Sequence, residues 1–136
     1  MDLRSLIAPR LIVHAHCDIP CGIYDPTAAK IAADTVAKMI EKITGATGSD
    51  DASRNTYIRS IAVKEEHAQI CKKELLILWT DYFKPEHLEK YPKLHDTFWK
   101  AAKLCSKNKQ SVDAKAAADL QAAVKEISDI FWATKK

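Results

Sequence analysis

The fold is decided by residues 25–45, which read DPTAAKIAADTVAKMIEKITG. Asp25 is a residue type that caps helix starts, and Pro26 suits the first helical position. Apolar residues then recur in alternating steps of four and three, and they are Ala29, Ala33, Val36, Ile40 and Ile43. This spacing places them on one narrow stripe of a helix, which Gly45 is expected to end. The stretch therefore predicts an amphipathic helix that buries its stripe against a partner.

A second, longer helix is predicted after a polar loop over residues 46–52, and it is expected to end near Asp81. Its stripe has one charged position, Lys64, and its other members are Tyr57, Ile61, Ala68, Cys71, Leu75 and Leu78. Pro85 predicts a short helical turn, which Pro92 interrupts.

Two more helices follow, separated by a predicted polar loop over residues 106–111. The stripe of the third contains Leu94, Phe98, Ala101 and Cys105. Asp113 is the predicted cap of the fourth, whose face carries Ala116, Leu120, Ala123, Ile127 and Ile130. Four amphipathic helices with short connections and no convincing strand pattern predict an all-α protein, an up-down-up-down four-helix bundle.

Composition excludes several classes of protein. The chain has 136 residues, 29% of them charged, and a net charge of +3, so it has room for one domain. Its basic residues are spread out rather than gathered in the stripe typical of nucleic-acid binding. Its longest apolar run, residues 75–79, is too short to cross a bilayer. We therefore expect no nucleic-acid partner and no membrane partner, and we expect Cys71 and Cys105 to be small buried hydrophobes.

The first fifteen residues, MDLRSLIAPRLIVHA, differ from the rest. Residues 13–15 resemble a small-residue cleavage site, but Pro9 and Arg10 split the apolar stretch before it. A leader removed without export fits at least as well as a signal peptide, and an arm that stays attached is the alternative. The predicted organisation is a leader over residues 1–15 and a bundle over residues 16–136.

Residues 16–26 read HCDIPCGIYDP and carry the chemistry. His16, Cys17 and Cys21 place two thiols and one imidazole within six residues, and Pro20 and Gly22 bend the backbone. Soft thiolates with nitrogen donors suit a transition metal. The three-residue spacing between the cysteines differs from that of thioredoxin-type motifs and zinc knuckles. A surface disulfide is the alternative interpretation of the two cysteines.

This string resembles the N-terminal nickel hook of nickel-containing superoxide dismutases, and it matches their pattern H-C-x-x-P-C-G-x-Y at every fixed position. The similarity continues in residues 78–85, 87–95 and 130–136. It therefore covers nearly everything after the leader. We refer to residues 16–24 as the hook loop.

The resemblance implies one nickel ion per subunit. Removal of residues 1–15 would free the amine of His16, which would bind nickel with the backbone amide and thiolate of Cys17 and the thiolate of Cys21. The imidazole of His16 would be an axial ligand in the oxidised state. Cycling between Ni(II) and Ni(III) would convert superoxide to oxygen and hydrogen peroxide.

The resemblance also assigns roles around the metal. Tyr24 would lie over the open metal face and position an anion or a water molecule, and Asp18 would order the hook loop. Tyr82 matches a tyrosine that supports the site, and Lys84 is a candidate for attracting superoxide. The family further implies a homo-oligomer, with a hexamer expected, and a leader-processing peptidase. We expect the protein in the cytoplasm.

Two positions depart from the family pattern. The family holds its axial histidine with a glutamate and with an arginine from a neighbouring subunit, and this chain has Ala32 and His67 there. The departure concerns how the imidazole of His16 is oriented rather than whether nickel binds. A nickel or copper carrier that uses the same ligands without turnover is the alternative function.

Overall fold

The computed structural model describes residues 22–135, which contain five α-helices and no strand. The helices are α1 (Thr27–Thr44), α2 (Asp51–Ile77), α3 (Pro85–Lys90), α4 (Leu94–Gln110) and α5 (Ala114–Thr134). A π-helical turn, Leu78–Tyr82, continues α2 by one wider turn. The all-α prediction is therefore confirmed, and α3 is the short turn that Pro85 predicted.

The four long helices form a closed ring around one core. α1 packs on α2, α2 on α4, α4 on α5, and α5 returns to α1. Each long helix therefore neighbours the next one along the chain, as the up-down-up-down prediction requires. No helix among residues 22–135 has both the length and the apolarity needed to span a bilayer.

The start of α1 lies one residue after the predicted one, because α1 begins at Thr27 and Pro26 occupies the cap position. The carboxylate of Asp25 accepts a hydrogen bond of 2.7 Å from the backbone N–H of Thr27, and the carbonyl of Pro26 accepts one of 3.1 Å from that of Lys30. All five predicted stripe residues of α1 are buried, and so is Ala32 beside them. The hook loop thus ends on a helix that is fixed to the core from its first turn.

The predicted stripes of the other helices are confirmed in their central parts and wrong at some ends. In α2, Lys64 is buried with Ala68, Cys71 and Leu75, whereas Tyr57 is exposed. Burial in α2 begins only at Ser60, so Tyr57 lies before the part of the helix that enters the core. In α5, the buried face is shifted to one side of the predicted one. Its buried residues are Ala116, Ala117, Leu120, Val124, Ile127 and Phe131.

The predicted polar loop over residues 106–111 is wrong, because α4 continues to Gln110. The ammonium of Lys64, which is 2% exposed, donates hydrogen bonds to the carbonyls of Asn108, Lys109 and Ser111, the last two at 2.9 and 3.1 Å. The side-chain amide of Asn108 donates to the carbonyls of Leu104 and Ala116 at 2.9 Å each. The last carbonyls of a helix lack donors within the helix, and here the ammonium of Lys64 in α2 is their donor.

Replacing Lys64 by Met should lower the free energy of unfolding by about 1–3 kcal/mol, because buried carbonyls at the end of α4 lose their donor while the volume is nearly kept. Chemical denaturation of the variant measures this loss. Lys73→Met is the matched control, since Lys73 is an exposed lysine of the same helix, and it should change stability by less than about 0.5 kcal/mol. Equal effects of the two substitutions would contradict a capping role for Lys64.

Candidate metal centre

The predicted metal ligands His16, Cys17 and Cys21 lie outside the described residues, as does Asp18. The structure describes the end of the hook loop from Gly22 onwards and the part of the bundle that receives it. Its geometry therefore bears on how the loop is seated.

Gly22 turns the chain directly after the last predicted ligand. Its φ angle is +69°, which lies in the left-handed region, and a Cβ added there would meet no atom within 4 Å. A side chain at this position is therefore opposed by backbone strain and not by crowding. The Gly22 carbonyl accepts a hydrogen bond of 3.4 Å from the ammonium of Lys135 at the end of α5.

Tyr24, the predicted catalytic residue, is half-buried against the bundle. Its ring centroid lies 5.6 Å from that of Tyr82, at an interplanar angle of 57°. Tyr82 is the last residue of the π-helical turn, whose wider ring is closed by a 3.1 Å hydrogen bond from the Phe83 N–H to the Leu78 carbonyl. The structure therefore brings the two predicted tyrosines together.

The hydroxyl of Tyr82 points to the C-terminal end of α5. It lies 2.8 Å from the hydroxyl oxygen of Thr134, and that threonine donates its own proton to the carbonyl of Phe131 at 2.6 Å. Because the proton of Thr134 is already used, Tyr82 must be the donor in the pair. The proton of Tyr82 is thus directed at α5, and its ring serves as a support for Tyr24.

Other aromatic rings hold Tyr82 in place. The ring of Phe131, which is fully buried, lies 4.4 Å from it, and the imidazole of His87 stacks on it at 5.7 Å and 14°. Nδ1 of His87 accepts a hydrogen bond of 3.0 Å from the backbone N–H of Lys84. The side chain of Lys84 is exposed, so its charge is free to act on anions in solution.

Two charges flank the end of the hook loop. Hydrogen bonds from the side chain and backbone of Thr27 hold the pKa of Asp25 below its usual value, and the positive charge of Lys135 lowers it further. Asp25 is therefore ionised at neutral pH. Residue type alone predicts no role for Thr134 and Lys135, although both lie in the C-terminal block, residues 130–136, that resembles the family.

The two cysteines of the bundle lie in its core. Within the described part of the chain, no three His, Cys, Asp or Glu side chains are grouped closely enough to hold a metal ion. Cys71 and Cys105 are fully buried, as predicted. A hydrogen bond with Cys105 and burial both raise the pKa of the Cys71 thiol, so it stays protonated at neutral pH. The donor set that fits nickel is the one in the hook loop, because only there do soft thiols adjoin a potential free amine.

The two departures from the family pattern lie on neighbouring helices. Ala32 is buried in the core on α1, and it offers no acceptor for an imidazole. His67 is partly buried on α2, and its Nδ1 is enclosed without a hydrogen-bond partner among residues 22–135. A buried ring nitrogen that lacks a partner is costly, so a group from outside the described residues is needed to satisfy it.

Comparison with known proteins agrees with the family resemblance that the sequence of the hook loop indicated. Residues 11–135 match the family model described as nickel-containing superoxide dismutase. The enzymes named superoxide dismutase [Ni] from Streptomyces coelicolor and Streptomyces seoulensis are each 42% identical to this chain over 134 residues, which is 98% of both lengths. A solved native structure of nickel superoxide dismutase superimposes with a TM-score of 0.78 at 40% identity, covering 89% of this chain and all of the solved one.

Tyr82→Phe should lower the free energy of unfolding by only about 0.5–1.5 kcal/mol, because it removes one hydrogen bond and keeps every ring contact. Tyr82→Leu should cost about 2–4 kcal/mol, because the contacts with Tyr24 and Phe131 are lost as well. Urea unfolding measures both variants. Tyr57→Leu, at an exposed tyrosine of α2, is the control and should have little effect. Equal losses for the Phe and Leu variants would contradict a supporting role for the ring.

Proposed function

We propose that this chain, which belongs to the nickel-containing superoxide dismutase family, converts superoxide to oxygen and hydrogen peroxide at its hook loop. The observation that carries the proposal is the complete donor set of residues 16–21 in a chain that is 42% identical to named nickel superoxide dismutases over 134 residues. In the balanced reaction, two superoxide anions and two protons give one oxygen molecule and one hydrogen peroxide molecule.

Removal of residues 1–15 is the second part of the proposal. While Ala15 is joined to His16, the nitrogen between them is an amide and a much poorer metal donor than an amine. The solved native structure is matched along its whole length by 89% of this chain, so it is shorter than this chain by about 15 of 136 residues. This difference equals the length of the proposed leader and is consistent with its removal.

The residues of this chain prepare a site for a small anion. Bound nickel would supply an electron acceptor and donor, since anionic sulfur and nitrogen ligands make its trivalent state accessible. Tyr24 follows the last predicted ligand, Cys21, by three positions in the sequence, and its phenol is the group that would position superoxide or an ordered water molecule. The ring of Tyr82 holds Tyr24 in this place, and the ammonium groups of Lys84 and Lys135 attract anions.

We also propose that the protein works as a homo-oligomer, and a hexamer is what the family resemblance implies. The hook loop has little core of its own, and Ile23 within it is 80% exposed. Further large apolar side chains of this chain are exposed on the bundle, among them Ile31, Ile58, Trp99 and Trp132. Neighbouring subunits would cover such surfaces, and one of them would provide the partner that Nδ1 of His67 lacks.

The same proposal includes a processing peptidase and a cytoplasmic location. Pro9 and Arg10 interrupt the apolar stretch of residues 1–15, so that segment is a poor export signal. Its proposed purpose is chemical, because it keeps the nitrogen of His16 acylated until cleavage.

Processing tests the function directly. The full-length chain should show no superoxide dismutase activity with nickel, whereas the chain beginning at His16 should be active, because only the free amine completes the donor set. A chain with one extra residue before His16 should again be inactive. Nickel content is measured in parallel, so that a protein that binds nickel without turnover would identify a carrier. Comparable activity in the uncleaved chain would refute the assignment of His16.

The four cysteines should divide into two pairs. Cys17→Ser and Cys21→Ser should abolish turnover in the processed protein, because a hydroxyl does not stabilise trivalent nickel as a thiolate does. Cys71→Ala and Cys105→Ala are the matched controls, and they should keep activity while losing about 1–3 kcal/mol of stability. Activity assays and chemical denaturation across the four variants measure the division. Similar loss of activity at all four positions would contradict a two-cysteine site.

A further inference from the structure

We propose that Lys135 is a positioning residue that clamps the end of the hook loop to α5 and so slows the loss of bound nickel. The inference rests on the proposed function, because it takes the hook loop as the nickel site. It concerns a side chain about 110 positions away from the loop in sequence, which contacts it only in the folded chain.

The clamp begins with the contact between Lys135 and Gly22. The ammonium donates to the Gly22 carbonyl at 3.4 Å, and Gly22 directly follows the proposed ligand Cys21. A glycine in the left-handed region gains more freedom than any other residue when it is released. A hydrogen bond to the carbonyl of Gly22 therefore restricts the backbone rotation of the residue that directly follows Cys21.

The ammonium of Lys135 is itself held in place by two rings. It lies 5.1 Å from the ring centroid of Phe131 and 5.8 Å from that of Tyr82, within the range of cation–π attraction. Phe131 is fully buried, and the hydroxyl of Tyr82 is bound to Thr134. The cation is also favoured at this place because it caps the negative end of the α5 dipole.

A second attachment holds the other end of the same segment. The carboxylate of Asp25 is bound to the N–H of Thr27 at 2.7 Å, and the charge of Lys135 acts favourably on it. Residues 22–25 are thus attached at Gly22 to α5 and at Asp25 to α1, with Tyr24 packed on Tyr82 between the two points. Of these attachments, the one through Lys135 is nearest in sequence to the proposed ligands, so its loss should have the largest effect on nickel retention.

An electrostatic alternative exists, in which Lys135 only draws superoxide towards the site. The two roles differ in what they change. A clamp changes how long Ni(II) stays bound in the absence of superoxide, whereas steering changes only the turnover rate and its dependence on salt.

The experiment uses the processed protein loaded with Ni(II) and measures nickel loss to an excess of a chelator. Lys135→Met should lose nickel roughly tenfold faster than the wild type, which is the size of effect expected when a supporting contact of a metal site is removed. Lys135→Arg should restore most of the retention, because a guanidinium keeps the charge, the donor and the ring contacts. Thermal unfolding of each apoprotein shows that the bundle is intact.

Lys125→Met is the matched control. Lys125 lies on the same helix, is exposed and pairs with Asp129 at 2.6 Å, so its loss changes the net charge equally and leaves the loop untouched. It should keep nickel as the wild type does. Equal nickel loss in the Lys125 and Lys135 variants, or unchanged retention in Lys135→Met with only a weaker salt dependence of turnover, would overturn the clamp.

Failure of the clamp and failure of the proposed function give different results. A wild-type protein that retains nickel, shows the expected effect of Lys135→Met and has no turnover would refute the enzyme and keep the clamp. A wild-type protein with normal turnover and a Lys135→Met variant with normal retention would refute the clamp alone. A processed wild type that binds no Ni(II) at all would overturn both.

Discussion

The ring of Tyr82 connects a loop that has almost no core of its own to a bundle that does. On one side it supports Tyr24, and on the other it lies 4.4 Å from Phe131 in the core. A short loop cannot bury enough apolar surface to offset the entropy of ordering its backbone, so its shape must be imposed from outside. The π-helical turn at the end of α2 places Tyr82 where it performs this task, and irregular turns of this kind are frequent at functional sites. The aromatic contact of Tyr82 with Tyr24 is therefore the apolar support of the loop end, beside the polar attachments at Gly22 and Asp25.

The helices of the bundle are held together by their apolar stripes and by a buried polar cluster of Lys64 and Asn108. Lys64 of α2 satisfies the last carbonyls of α4, and Asn108 joins α4 to the first turn of α5. A charge this deeply buried is acceptable only when its donors are used, and here each of them finds a carbonyl. The hydrogen bonds of this polar cluster join α2, α4 and α5 and involve neither Tyr24 nor Tyr82. A substitution in the cluster can therefore lower the stability of the bundle without removing the aromatic contact that supports Tyr24.

Much of the fold could be predicted because it depends on local rules. The cap at Asp113 and the stripe of α1 follow from residue type and spacing and are confirmed, whereas the cap of α1 is Pro26, one residue after the predicted Asp25. The extension of α4 to Gln110 could not be predicted, because residues 106–111 are polar and only the distant Lys64 makes a helix end there favourable. Tyr57 was predicted to be buried and is exposed. The spacing of apolar residues indicates which face of a helix a residue lies on, but it does not indicate whether that part of the face is covered. For the candidate site, the ligands and Tyr24 were recognised by family resemblance, whereas the contact of Lys135 with Gly22 depends on tertiary structure alone.

The distance along the chain between the loop and its seat has a consequence for biosynthesis. The contact between Gly22 and Lys135 spans 113 positions, so a ribosome makes the loop long before it makes the helix end that receives it. At ordinary rates of translation the interval is on the order of ten seconds. During that time the thiols that precede Gly22 in the sequence emerge before α5 and its contact with the loop end exist, and any metal or oxidant in the cell can reach them. A nitrogen of His16 that is still acylated would leave the donor set incomplete over the same interval, and nascent chains would be spared premature metal capture until the seat exists.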